Sequence, residues 1–525
     1  MQDSRHQLLP GGQLCDRLDC PVVIAAIFIT GIGGTFQYGF SVSVLTSPSE
    51  FIKELVNQTC LQRYGISLDP GQVSLIWSFT VSIFCIGGLL GALVAGPLMS
   101  KYGRKQCLLF NNFTAISGAV LMLSSQKAMS FEMIMVGRLL YGINAGVSLS
   151  AHTLYLVECA PKKLRGMVGV TVATFVSFGK FSGQLLGISE LLGTEQRWPW
   201  LLGFNGFTAL LQLATLPFLP ESPSFLLLNR GDREACDKAL KRLWGDKDYT
   251  WEVEEMMKEK AAIQGVRNHS VMELIQNKNV RWQLITILIT FTGLQLCGIN
   301  AVYFYSFDVF RAAGIQEGQL RYAALGTGLC EVCTSIACFM FIESTGKKVL
   351  LYRGYLAMSA TLVLLTITLF LQTQISWMPY CSMLLVFLFI FCFASGPSGI
   401  IAPLPGELFT QPFKSAAYTL ACTLNWTGLF LLGMLFPILV VGTFFSWTLW
   451  VTFASSSSCS AAPAVACLCG FNVPETRHKT ALEIAADFDR MHRKSGEAKR
   501  QSTEQDLNVA KSQRDQILIL FTKHT

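Results

Sequence analysis

Twelve separate stretches of this chain are each long and apolar enough to cross a lipid bilayer. They are residues 21–45, 73–98, 106–126, 131–157, 166–189, 199–219, 282–305, 322–342, 349–371, 377–402, 415–441 and 443–472. Crossing the hydrocarbon core takes about 20 predominantly apolar residues. No water is available there, so a lone segment must satisfy its own backbone polar groups, which a helix does. The expected fold class is therefore an all-α polytopic membrane protein with twelve transmembrane helices. Composition agrees: 51% of the 525 residues are hydrophobic and 14% charged, whereas a soluble chain carries about 25% charged residues. That balance excludes a disordered, a collagen-like and a nucleic-acid-binding protein. The first stretch follows a polar, nearly neutral leader with no small-residue cleavage site, so it reads as a retained span. Most of the 17 cysteines lie in apolar runs, among them Cys85, Cys107, Cys297, Cys338 and Cys392, and read as small buried hydrophobes. No His/Cys cluster has the spacing of a metal site, and no cofactor is expected.

The connections between spans are mostly short, with two hydrophilic exceptions. The chain accordingly divides into an N-terminus (1–20), a six-helix bundle (21–219), a linker (220–281), a second six-helix bundle (282–472) and a polar tail (473–525). In the linker, residues 232–243 and 251–263 carry mixed charges with helical apolar spacing. Placing both termini in the cytoplasm puts 33 of the 41 Lys and Arg on the inside and 6 outside, with Arg138 and Lys180 within spans. That asymmetry supports the orientation. Of the Asn-x-Ser/Thr sites Asn57, Asn112, Asn268 and Asn425, this topology exposes only Asn57 to glycosylation. The expected location is the plasma membrane.

The two halves repeat one another. The loop after the second span reads YGRK (102–105) and the loop after the eighth reads STGKK (344–348), with Gly103 and Gly346 243 residues apart. Glu158 and Arg165 stand seven apart after the fourth span; Glu407 and Lys414 stand seven apart after the tenth, each offset by 249. Recurring charged landmarks in matching loops mark a two-bundle transporter with its site between the bundles. The cationic loops (Arg104, Lys105, Lys347) face acidic helix ends, and such pairs suit a switch that locks one arrangement and releases it as the bundles rock.

Taken together, the motifs GPLMSKYGRK (96–105), VGR (136–138), ECAPKKLRG (158–166), PESPS (220–224), QLCGINAVYFY (295–305), GTGLCE (326–331), ESTGK (343–347), PGELF (405–409) and PET (474–476) resemble the sugar porter branch of the major facilitator superfamily. FQYGF (36–40), LLFNN (108–112) and GINAVYFY look closest to the class II facilitative hexose transporters, the group that includes the fructose transporter. The resemblance implies a major facilitator fold and alternating access around a midplane sugar site. The cytoplasmic gating charges are thus Arg104, Lys105, Glu158, Arg165, Lys347, Glu407 and Lys414 from the repeat, with Glu343 in the family motif ESTGK. The resemblance also implies sugar contacts at Tyr38, Gln295, Asn300 and Trp426; Asn425, which stands where the family has a histidine, is a further candidate sugar contact. A hexose is neutral and rich in hydroxyls, with apolar C–H faces; amides both donate and accept, and an aromatic ring covers the C–H side. The sequence departs from the family pattern at Ala173 and Leu294 (glutamines in the family), Glu331 (asparagine), Phe393 (histidine) and Ser224 (arginine), and at Lys347, Lys348 and Lys414, which replace arginines. Lys180 and Glu331 fall where the family has an apolar residue and an amide. Each lies about ten residues from the outer surface, on spans adjacent in this fold, and an unpaired charge at that depth is costly. They are expected to form a cross-bundle ion pair, the alternative being that each faces the aqueous cavity separately.

Proton-coupled members carry an aspartate on the first span; the matching residue here is Ser41, whose hydroxyl does not titrate near neutrality. No ATP-binding loop, catalytic triad or metal cluster is visible. The expected function is thus non-enzymatic, energy-independent diffusion of a monosaccharide through the lipid bilayer, with glucose and fructose the leading substrates. A proton-coupled symporter and a non-transporting sugar sensor are the alternatives.

Overall fold

The computed structural model describes residues 21–161, 165–245, 249–263, 269–372, 374–409 and 411–441, with scattered positions between 467 and 490. Among these residues it is built of helices and connecting turns. The first half contains α1 (Pro21–Gly33), α2 (Thr35–Ser43), α3 (Ser49–Tyr64), α4 (Pro70–Tyr102), α5 (Arg104–Ser125), α6 (Phe131–Cys159), α7 (Arg165–Leu186) and α8 (Trp198–Thr215). The linker supplies α9 (Arg233–Trp244), α10 (Thr250–Ile263) and α11 (Val271–Gln276). The second half contains α12 (Arg281–Leu296), α13 (Ile299–Phe304), α14 (Ser306–Ala312), α15 (Leu320–Thr345), α16 (Lys347–Leu371), α17 (Met378–Ala394), α18 (Pro397–Ile401), α19 (Leu404–Leu408) and α20 (Gln411–Val441).

Nine of the described helical segments are long and apolar enough to span a membrane. Two further helices, α7 and α15, occupy the fifth and eighth stretches and are the ones that carry Lys180 and Glu331. Nearly all of the twelfth stretch lies outside the described residues. The surface is that of a molecule solvated by lipid. Phe110 and Phe113 on α5, Phe207 and Leu210 on α8, and Leu364 and Phe370 on α16 are exposed. In water such a surface would aggregate. Polar side chains face inward instead: Asn111 Nδ2 donates to Asn144 O and Ser148 Oγ, both at 2.9 Å, and Tyr141 donates to Leu202 O at 2.9 Å. Such bonds join helices where apolar contact alone gives no preference over lipid.

Local signals explain the helix boundaries. Pro70 opens α4 behind a capping box formed by Asp69 and Gln72, which satisfies the free N–H groups of the first turn. The two halves turn alike. Gly103 (φ 106, ψ 163) is the only residue between α4 and α5, and Gly346 (φ 87, ψ 140) the only one between α15 and α16. A side chain at either position would be strained, so the repeated glycine is a repeated backbone conformation. The loop 46–72 holds α3, which the apolar pattern does not announce; its Ile52, Leu55 and Val56 are buried.

The linker packs on both halves at one end of the spans, called here the linker end. On α9, Cys236, Ala239, Leu240, Leu243 and Trp244 are buried, and Trp244 Nε1 donates to Cys159 O at 2.9 Å. Ahead of α11, His269 stacks on Phe413 of α20, with ring centroids 4.4 Å apart.

Candidate functional site

The seventh span is broken. Gly298 adopts a left-handed conformation (φ 80) between α12 and α13, so Gln295 lies in the last turn of one helix and Asn300 in the first turn of the next. Asn300 Nδ2 donates to Gln295 Oε1 and Gln295 Nε2 donates to Asn425 Oδ1, each at 3.0 Å. This chain of three amides links the broken span to α20. Next to Asn425, Trp426 is 2% exposed. Its indole meets Tyr38 of α2 edge-on at 5.7 Å and Phe84 of α4 at 6.0 Å, while Tyr38 stacks on Phe84 at 6.2 Å. Five residues singled out from the sequence thus converge at the interface between the halves. Three aromatic rings cluster at Trp426, next in sequence to Asn425, and the outer members of the amide row, Asn300 and Asn425, are half-buried. Phe84 had no distinguishing signal, being one phenylalanine in an apolar helix. Two small residues make the approach possible: a Cβ on Gly88 would lie 2.3 Å from the Trp426 ring, and one on Gly428 would lie 2.4 Å from Gln295.

Beside this centre, α7 and α15 are joined by a polar seam. Lys180 Nζ donates to Glu331 Oε1 at 2.9 Å and to Oε2 at 3.2 Å. Ser177 Oγ lies 3.1 Å from Glu331 Oε1 and 3.0 Å from Ser335 Oγ; Gln184 Nε2 donates to Thr327 Oγ1 at 3.0 Å. Beyond them, at the end far from the linker, Arg321 reaches Ser189 and Tyr322 donates to Glu190 at 2.8 Å. Residue numbers rise along α7 as they fall along α15, in steps of three and four, so each helix offers one face. The seryl, glutamine and threonine partners were missed in the sequence, although Ser177 and Ser335 stand one helical turn from the charges.

At the linker end the charged loops pair within each half. Arg104 Nη2 meets Glu158 Oε1 at 2.8 Å, and Ser222 caps the other carboxylate oxygen. Lys105 donates its backbone N–H to Glu221 at 2.9 Å and its ammonium to Pro217 O and Leu219 O at 2.9 and 2.6 Å. In the second half Lys347 contacts Glu407. Lys414 lies half-buried at the start of α20. The side chains of Arg165 and Glu343 are outside the described residues. Asn57 is half-buried on α3 beside a cleft of about 410 Å³ that Glu50, Lys53 and Glu54 also line.

A family model described as sugar (and other) transporter matches residues 26–488. The chain belongs to the sugar transporter family. Among curated relatives, human solute carrier family 2, facilitated glucose transporter member 11 is 42% identical over 471 residues, covering 90% of this chain and 94% of the relative. Mouse member 9 is 41% identical (89% of this chain, 85% of the relative) and bovine member 5 is 40% identical (91% and 94%). These are class II members of the facilitative group. Among solved structures, the proton:xylose symporter XylE bound to 6-bromo-6-deoxy-D-glucose superposes with a TM-score of 0.73 at 19% identity, covering 89% of this chain and 99% of that one. The fold is that of the major facilitator superfamily.

Within this sugar transporter the departures from the family pattern have a visible setting. Ala173 is half-buried on α7, one turn from Ser177, and Phe393 is buried on α17. The buried Arg138 on α6 donates to Ser41 O at 2.5 Å and to Val81 O at 3.1 Å and lies over the Phe84 ring at 4.5 Å. The Ser41 hydroxyl accepts from Asn205 Nδ2 at 2.7 Å. Backbone carbonyls and an aromatic face thus serve this guanidinium. Asn112 is fully buried, and Asn425 belongs to the amide row.

Proposed function

We propose that this chain carries a hexose such as glucose or fructose down its gradient by alternating access, as a uniporter. The amide row against the Tyr38–Phe84–Trp426 cluster carries this reading. It groups amide donors and acceptors with aromatic rings, which complements a pyranose or furanose with its hydroxyl edge and C–H face. The likeness to facilitated glucose transporters supports the same reading.

Proton coupling is the second reading, raised by the superposition on a proton:xylose symporter. Two observations weigh against it. The Arg138 guanidinium is served by the carbonyls of Val81 and of Ser41, a residue with no ionisable side chain. Glu331, a carboxylate near the site, has both oxygens within hydrogen-bond distance of the Lys180 ammonium. The deciding experiment is uptake of labelled glucose and fructose into proteoliposomes. Internal label rises to the external concentration and stops, with and without an imposed pH gradient. Accumulation above the external level that collapses with the gradient would establish symport, and saturable binding without flux would establish a sensor.

In this reading the two six-helix bundles (21–219 and 282–472) rock against one another. The linker and both termini are cytoplasmic, the pairs Arg104–Glu158 and Lys347–Glu407 brace the cytoplasmic helix ends, and the protein lies in the plasma membrane with Asn57 glycosylated outside. In cells, glycosidase treatment shifts the protein on a gel, and Asn57→Gln abolishes the shift. A shift that survives the substitution would reverse the orientation.

A further inference from the structure

The ion pair at the centre of the polar seam has features that no neutral contact would need. Both side chains are almost wholly withdrawn from solvent, Lys180 at 9% and Glu331 at 3% exposure. The charges come from different halves of the molecule, so any motion that parts α7 from α15 must part them. Separating buried charges is unfavourable unless each finds water or a new partner. The ammonium also lies over the Tyr303 ring at 3.9 Å, an arrangement that favours the cation. Tyr303 stands on α13, three residues after Asn300 and hence one turn along the same short helix. Its carbonyl is 3.5 Å from Thr46 Oγ1 of the first half. One six-residue segment therefore carries both an amide of the site and the ring beneath the lysine.

We propose that Lys180–Glu331 is the lock of this seam: while the pair is closed, the bundle ends far from the linker stay together, and the central site opens to that face only after the charges part. The inference rests on the alternating-access reading. Lys180 and Glu331 then act as positioning residues, setting how often the far face opens. Through α13, occupancy at Asn300 is coupled to the ring on which the lysine rests.

The test reads opening directly and needs no transported sugar. Thr46 is buried and, with Gln184, Phe307 and Arg321, lines a small void between the halves at the far end. A cysteine there is reached by reagent when those ends separate. In purified protein in nanodiscs, the labelling rate of Thr46→Cys by a charged maleimide is measured against the parent, whose native cysteines give the background. Adding Glu331→Gln raises the rate roughly tenfold or more. The exchange Lys180→Glu with Glu331→Lys restores slow labelling. An unchanged rate in Glu331→Gln overturns the proposal, as does fast labelling in the monodisperse exchange variant. Should Glu331→Gln fail to fold, the exchange variant alone decides, because it retains both charges. If no hexose moves in any variant while labelling still follows the pair, the lock stands and the hexose reading falls.

Discussion

Gln295→Ala lowers the initial rate of hexose uptake at subsaturating substrate by roughly 100-fold. Gln295 accepts from Asn300 and donates to Asn425, so truncation strands two amides at once. Each buried polar group left without its partner costs about 1–3 kcal/mol, and about 2.7 kcal/mol is a hundredfold in a rate or binding constant. Part of the loss comes from the site's shape, since the row no longer links α12 to α20. The measurement is uptake into proteoliposomes normalised to reconstituted protein, with Gln295→Asn alongside to separate the loss of hydrogen bonding from the loss of reach. Retention of more than about a third of the parent rate in the alanine variant would show that the amide row is not the sugar's binding edge.

The second large effect falls on folding. Gly142→Val lowers the apparent melting temperature by about 3 °C or more, or prevents recovery of monodisperse protein. A Cβ on Gly142 of α6 would stand 2.1 Å from Phe84 O and 2.9 Å from Gly87 Cα of α4. Those atoms are backbone and cannot swing aside, so α4 and α6 must separate along a close-packed seam. Overpacking of that kind costs about 3 kcal/mol or more, which at this size corresponds to about 3 °C or more. Gly96→Ala is the matched control: it is exposed on α4 with nothing within 4 Å of the added methyl, and the better helix former should leave stability unchanged or slightly raised. Equal melting of parent and Gly142→Val would contradict the α4–α6 packing.

Much of the architecture was legible because a bilayer demands long apolar runs and leaves few alternatives to helices. The repeat was legible because Gly103 and Gly346 must hold the same unusual backbone conformation. Charge anomalies were legible too: Lys180 and Glu331 stand out in apolar helices, although their meeting depends on which spans are neighbours, a fact that periodicity does not contain. What escaped reading was whatever depends on shape. Nothing in QLCGIN says that the helix breaks at Gly298 instead of bending. Nothing separates Phe84, wedged between Tyr38 and Trp426, from the lipid-facing Phe110 or Phe113. The buried face of α3 escaped because sixteen residues of mixed polarity outside the spans resemble a loop.

The placement of α9 and α11 makes the two ends of the molecule mechanically unequal. At one end the halves share a continuous peptide, with Trp244 bound to the first half and His269 stacked on the second. At the other no peptide joins them. A tethered pair of surfaces that comes apart remains at millimolar effective concentration, so each excursion at the untethered end is followed by quick recapture. Cutting the chain between α9 and α10 would turn an intramolecular encounter into a bimolecular one, and the persistence of the assembly would then depend on the two-dimensional density of fragments in the bilayer.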